Sequence, residues 1–485
     1  MKKIIIIFAV GLTLASCKKL SDLNVDTKNA ENGDAPSETL FANGQRNLMD
    51  QVATPSVNLN IFRTVGQYWT ETTYTDESNF NITTRKIPDF EFQSIYRDAL
   101  ADLKEAKKVI EKETDVVASP AQRANKTAIT EMLMIYAFVR EVDIFGNVPY
   151  SEALDITNVL PKYDDAQGIY AALFKRLDDA INSIDENVGG FPVKYDVIYK
   201  GNMKNWKAFG NSLKLKMAIT VADVPALNPG TKAAEAVSGG VFTSAAQSAL
   251  FPYLGASPNT NPIWVQLVSS GRKDWVAANT IVDKMNALAD PRRSKYFEGN
   301  MEDSNGNVIY VGGTFGSSNK YANYTHITST IQQPTWKGNL LDYSEVQFYL
   351  AEAAARNFIS GSAQTYYNTA ITSSILFWGG TAVEAAAYLL KPEVDYNNPL
   401  SGADYKEKIG TQAWIAYFDR PDAAWNSYRR LDFPKMNIPT KSKEPVPNRY
   451  TYPINEQTLN GTNYAAAAAA IGGDLKSTKL FWDKF

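Results

Sequence analysis

Four consecutive pairs of helical stretches in this chain repeat apolar residues every three or four positions. That spacing puts one stripe of each helix against a neighbour. In the first stretch Phe92, Ile95, Ala99, Leu103, Ala106 and Ile110 fall on one face. Ser119-Pro120-Ala121-Gln122 then opens a second helix, with a capping serine, proline at the first position and glutamine at the third. This helix is expected to run to about Asp143. Asp164-Asp165-Ala166-Gln167 starts another, with Ile169, Leu173, Leu177, Ile181 and Ile184 on one stripe and Trp206, Phe209, Leu213 and Met217 on its partner. Ser360-Gly361-Ser362 splits the third pair and Arg420-Pro421 breaks the fourth. The pairs cover about 92–143, 167–221, 344–378 and 405–431. Helix pairs with short turns bury each other's faces, so the spacing predicts a mostly α fold: an α-solenoid of four tetratricopeptide-like pairs.

The region from about Pro225 to Leu340 is different. It is rich in Gly, Asn, Pro and Ser, and reads as a loop-rich insertion carrying minor β-hairpins. Asn305-Gly306, between Met301 and Val308-Ile309-Tyr310, is a hairpin signal. Asp303-Ser304-Asn305-Gly306-Asn307 also hints at a calcium loop, but Val308 stands where such a loop wants glycine after its third ligand.

The N-terminus sets the compartment. Lys2 and Lys3 precede an apolar run from Ile4 to Leu14, and Leu14-Ala15-Ser16-Cys17 follows. This is the layout of a secretory leader. At 1.5 Å per residue the run spans about 16 Å, too short for roughly 30 Å of hydrocarbon. Leu-Ala-Ser-Cys reads as a lipobox in which the Cys17 thiol is acylated. Cys17 is the chain's one cysteine, so an internal disulfide is excluded. Residues 1–17 are then a leader and 18–485 a single domain, in which Lys18 to Glu38 reads as a polar tether and lead-in. Loss of Lys2 and Lys3 leaves 47 basic against 52 acidic residues, a balance that argues against nucleic acid or anionic lipid as the main partner.

The residues offer little for catalysis. His326 is the sole histidine, which excludes multi-histidine metal sites, and the alternation in Tyr324-Thr325-His326-Ile327-Thr328 reads as a strand with a structural polar residue. No glycine loop to cradle phosphate appears, and the chain calls for no cofactor. Asp164-Asp165 and Asp178-Asp179 are acid pairs of the type glycoside hydrolysis needs, but they fall at a helix start and on a helix flank, where carboxylates cap or are solvated. A surface glycoside hydrolase on a helical scaffold is the alternative to a binding protein. A bare envelope scaffold would need no aromatic-rich insertion.

The chain resembles the SusD/RagB family of nutrient-binding outer-membrane lipoproteins over nearly its full length. The resemblance is carried by the lipobox, Leu23-Asn24-Val25-Asp26, Gly66-Gln67-Tyr68-Trp69 and Asp143-Ile144-Phe145-Gly146-Asn147-Val148-Pro149-Tyr150. It continues in Ile198-Tyr199-Lys200-Gly201-Asn202, Asp290-Pro291-Arg292, Tyr343-Ser344-Glu345-Val346, Ala424-Trp425-Asn426-Ser427-Tyr428-Arg429-Arg430 and Arg449-Tyr450-Thr451-Tyr452-Pro453. It implies a lipid-anchored outer-membrane protein that captures a glycan or peptide and delivers it to a SusC-like TonB-dependent transporter. Surface-displayed members often carry acidic residues directly after the cysteine, where this chain has Lys18 and Lys19.

The resemblance also implies a ligand role for Trp69, in the segment where glycan-binding members place a stacking aromatic. The residues themselves add Tyr74 and, from the insertion, Trp264, Arg272, Asp274, Trp275, Tyr321, Tyr324 and Trp336. Tyr and Trp combine a flat apolar face with a polar tip, which suits sugar rings. Arg272 and Asp274 are placed to fork onto hydroxyls or a carboxylate, or to pair within the scaffold. Trp206, Trp414 and Trp425 lie on helix stripes and are assigned to the core, and Arg429-Arg430 to a solvated or ion-paired face. The ligand is expected on the side built by Tyr68 to Phe80 and the insertion, with Trp69 exposed there.

Overall fold

The computed structural model describes residues 35–398 and 405–485. The leader, Cys17 and Leu23-Asn24-Val25-Asp26 lie outside these residues. All four expected helix pairs form. The first joins Ala101–Lys112, entered through π-helical turns at Gln93–Leu100, to the long helix Pro120–Phe145. Ser119 caps that helix as its sequence requires, its Oγ accepting the Gln122 N–H at 3.2 Å. Ala166–Asn182 packs on Met203–Thr220, Tyr343–Ala355 on Ala363–Phe377, and Tyr405–Ala416 on Pro421–Leu431. Side-chain caps from Asp165, Asp342 and Ser362 fix where three of these helices begin.

Several helices lie outside this pattern. Ser37–Ala53 packs its Phe41, Leu48 and Val52 face against Ala101–Lys112, so the polar lead-in ends just before it. Pro229–Gly239 lies inside the expected loop region and covers Met203–Thr220. The insertion also holds the helix Asn279–Ala287. Its entry and exit are clamped by an antiparallel pair, Ala249–Phe251 with Gly338–Leu341, in which Phe251 faces Gly338.

Buried arginines join the helix pairs to one another. Arg140 reaches Glu91 at 2.6 Å and Asp422 at 2.9 Å, and Arg420 reaches Asp342 at 3.0 Å as well as Glu345. Arg430 pairs with Glu352. In a low-dielectric interior a charge needs such a partner, and removing one partner is far more costly than losing an exposed pair. Arg429 and Arg430 are therefore core residues, not a solvated face. Arg429 lies 3.6 Å from the centre of the Trp425 ring and 4.7 Å from that of Trp482. Trp206, Trp414 and Trp425 are buried, as their stripe positions require.

The acid pairs have structural partners. Asp165 caps its helix, and Asp164 accepts the backbone N–H groups of Tyr150 and Ser151. Asp178 pairs with Lys214 and Lys232, and Asp179 with Lys175. The Asn305-Gly306 turn joins Met301–Glu302 to Val308–Ile309 as an antiparallel hairpin. There the Asp303 carboxylate accepts the N–H groups of Asn305 and Asn307, and Gly306 takes a φ of +80°.

Candidate ligand-binding face

A short ladder supports the face. Trp69–Glu71 pairs antiparallel with Trp275–Ala277, with Trp69 opposite Ala277 and Glu71 opposite Trp275. The chain leaves the ladder at Thr72, whose N–H donates to the Asp274 carbonyl at 2.9 Å and whose Oγ1 donates to the Lys273 carbonyl at 2.8 Å. Buried Asn319 knots a third loop to the first two. Its N–H donates to the Thr72 carbonyl, and its Nδ2 to the carbonyls of Glu71 and Ser317. That loop crosses the ladder through Gly312 and Gly313, and a Cβ on Gly312 would sit 2.3 Å from the Asn279 Cα. Only glycine allows this approach.

A fourth loop comes from the far end of the chain. Lys441 Nζ donates to Thr75 Oγ1 at 2.7 Å, the Ser442 N–H donates to Asn79 Oδ1, and Ser317 Oγ lies 2.8 Å from Thr440 Oγ1. Segments 72–80, 272–275, 314–326 and 437–444 thus form one surface. The last of them has no aromatic residue and no charge pattern that tied it to the others in the sequence. The polar run Pro439-Thr440-Lys441-Ser442-Lys443 was its one loop signal.

Tyr74 stands 66 % exposed on this surface. The half-buried Tyr321 ring stacks on the His326 imidazole, with centroids 3.9 Å apart and planes at 19°. The Lys273 ammonium stands 5.3 Å from the Tyr321 ring centre. Tyr324 follows on the same loop, where its carbonyl accepts the Asn300 Nδ2–H. Arg272 and Asp274 pair with each other at 2.6 Å. The structure therefore brings Tyr74, Arg272, Asp274, Tyr321 and Tyr324 to neighbouring loops.

The expectation for Trp69 is corrected. Its ring is fully buried, 5.9 Å from the ring of Trp275, which is itself 8 % exposed. Both faces of the two-stranded ladder are covered, so neither indole offers a sugar a platform. Trp264 and Trp336 lie apart from the loop surface. Pro262, Val265 and Gln266, the neighbours of Trp264, line a separate cleft of about 270 Å³ beside Arg46 and Asp50. Trp336 is half-buried, stacks on Trp378 at 5.5 Å, and donates from Nε1 to Asp419 at 2.9 Å. Burial pushes that carboxyl up to about 6, against the pull of Arg63.

Two carboxyl groups lie beneath the Thr72–Phe80 loop. Glu71 accepts the Ser78 N–H at 2.9 Å, and Ser78 Oγ accepts the Glu71 N–H. Burial, reinforced by neighbouring Glu77, pushes the Glu71 carboxyl up to about 9. Arg85 pairs with Glu77. Both influences favour the neutral form of the Glu71 carboxyl.

A wider cleft, about 810 Å³, lies elsewhere, between the turns at 89–101, the loop at 149–161 and the segment at 453–459. Its lining sets Phe92, Tyr96 and the mostly exposed Ile156 and Leu459 beside Gln93 and Arg97, and Asp89 on its wall is occupied by the N–H groups of Ile454 and Asn455.

The helix-pair scaffold thus carries one face on which tyrosines, hydroxyls, amides and lysines gather. The chain belongs to the SusD-like family, matching the family model described as starch-binding and associating with the outer membrane over residues 28–453. It is similar in structure to a SusD homologue from Bacteroides uniformis, with TM-score 0.78, 26% identity, and coverage of 92% of this chain and 99% of that one. A chitin-binding SusD homologue from Flavobacterium johnsoniae shares the fold, with TM-score 0.76, 23% identity, and coverage of 92% and 98%. A further chitin-binding protein gives TM-score 0.79 at 24% identity, with coverage of 93% and 100%. No curated protein matches the chain. Among the described residues no helix is long and apolar enough to cross a membrane.

Proposed function

We propose that this protein is a lipid-anchored receptor on the outer membrane that captures a glycan without cleaving it and hands it to a TonB-dependent transporter. The observation that carries the reading is the loop surface around Tyr74 and the Tyr321–His326 stack, where aromatic rings lie among hydroxyls, amides and charged groups. Sugar rings pack CH faces on such rings, while neighbouring polar groups take the hydroxyls. The chitin-binding proteins that share the fold support a glycan over a peptide. Cys17 is the proposed anchor. The partners Lys214, Lys232 and Lys175 on Asp178 and Asp179, and the capping roles of Asp164 and Asp165, leave neither acid pair facing this surface.

Affinity electrophoresis against a panel of polysaccharides, with a reducing-end assay on the same mixtures, tests the reading. Retardation by at least one glycan with no new reducing ends is the expected result. Product release abolished by a single Asp or Glu substitution would establish a hydrolase instead. Binding of peptides alone would shift the cargo and keep the receptor.

A further inference from the structure

We propose that the glycan taken by this face is anionic, carrying carboxylates or sulfate esters; the inference rests on the receptor reading above. Its basis is a local reversal of charge. The chain has net charge −3, yet four exposed lysines, Lys273, Lys320, Lys441 and Lys443, stand on the three loops that meet the Thr72–Asn79 segment. Their juxtaposition is fixed by contacts already described: Thr72 to Lys273, Asn319 to Thr72, and Lys441 to Thr75.

None of the four forms an ion pair among the described residues. On the helical scaffold the exposed Lys175, by comparison, pairs with Asp179. The carboxylates on the face are fewer. Asp274 is held by Arg272 and Glu444 by Lys476, which leaves Asp76 and Glu298 against the four ammonium groups. A protein of overall negative charge repels polyanions at long range, so a lysine-rich face is the one region where the local potential favours them.

Geometry adds a second element. The Lys273 ammonium lies over the Tyr321 ring, so one short reach holds an aromatic surface and a cation together. A uronic acid or sulfated sugar presents this pair in mirror image, an apolar CH face beside an anionic group. Lys320 begins the turn that carries Tyr321, and Lys441 is held beside Thr75, next to Tyr74. Tyr74 and Tyr321 thus each have a lysine within a residue or two of chain, or of a hydrogen bond.

The test compares polygalacturonate, dextran sulfate and neutral controls, soluble starch and chitin oligomers, by calorimetry at low and high sodium chloride. An anionic polymer is expected to bind at least about tenfold tighter than the neutral ones at low salt and to weaken steeply as salt rises. Lys273→Ala and Lys441→Ala should each lower that affinity several-fold and flatten the salt dependence, with melting temperature unchanged. Lys175→Ala, on the scaffold, should do neither. Preference for polygalacturonate assigns a carboxylate, preference for dextran sulfate a sulfate ester, and either supports the inference. Tight, salt-independent binding of a neutral glycan, insensitive to the lysine variants, overturns it and leaves the receptor reading standing. Failure to bind any glycan overturns both.

Discussion

The Arg63 guanidinium lies 5.1 Å from the centre of the Trp69 ring and pairs at 3.5 Å with Asp419, which also accepts the Trp336 indole N–H. Trp69 is therefore one end of a buried chain of contacts reaching to the half-buried Trp336. Removing its ring leaves a cavity beside a buried cation. Trp69→Ala is expected to lower stability by about 3–5 kcal/mol, read as a shifted urea midpoint. An unchanged midpoint with lost glycan binding would return Trp69 to the ligand face.

Tyr321 predicts the opposite separation. Its ring is half-buried on the surface and stacks on His326. Tyr321→Ala should weaken glycan binding about tenfold, equivalent to about 1.4 kcal/mol, while the melting temperature moves by only a few degrees. Tyr321→Phe should keep most of the affinity if the ring face is what the ligand uses.

Glu71 makes stability depend on pH. Its folded pKa of about 9 lies above the ordinary 4.5, because burial and Glu77 oppose the charged form. The stability gained from keeping the proton is complete below about pH 4.5 and is lost as pH rises through about 9. Glu71→Gln keeps a neutral group beside Glu77. Denaturation midpoints measured between these limits should fall with pH in the wild type and stay flatter in the variant. Parallel slopes in the two proteins would mean that Glu71 is ionised when folded.

Gly312 holds the third loop against Asn279, with no room for a methyl group. Gly312→Ala should cost about 1–3 kcal/mol through overpacking and loosen the loop that carries Tyr321. The expected signature is loss of affinity together with faster hydrogen exchange at Gly313 and Asn319, whose N–H groups donate to Ala277 and Thr72.

Cys17→Ala tests the anchor. The variant should leave the membrane fraction while the purified domain keeps its glycan affinity. A variant that still sediments with membranes like the wild type would rule out acylation at Cys17 as the attachment.

Much of the scaffold was written in local patterns. Ser119-Pro120 opened a helix because a serine oxygen can accept an N–H that the first helical turn leaves free. The Asn305-Gly306 turn formed because glycine adopts positive φ at little cost. The apolar stripes fixed which helices face each other, since a helix exposes one stripe whatever its neighbour is. The helix Ser37–Ala53 shows no continuous apolar stripe in the sequence, because Gly44, Gln45 and Gln51 interrupt it, all buried there. Gly44 is close-packed beneath Leu103, a contact that only the partner helix reveals.

The ligand face was decided by tertiary structure. In the sequence Trp69 and Tyr74 are equivalent aromatic residues in one polar segment, but Trp69 falls on a ladder covered on both sides and Tyr74 on the loop that leaves it. Period-two alternation assigns a side chain to one face of a strand, and it cannot say whether another element covers that face. Lys441 is 366 residues from the Thr75 hydroxyl it donates to, and no local pattern joins residues so far apart. Sequence by itself determined the helix pairs and the hairpin, because each rests on the chemistry of neighbouring residues. Which aromatics meet solvent, and which lysines gather beside them, depended on how distant loops pack around one short ladder.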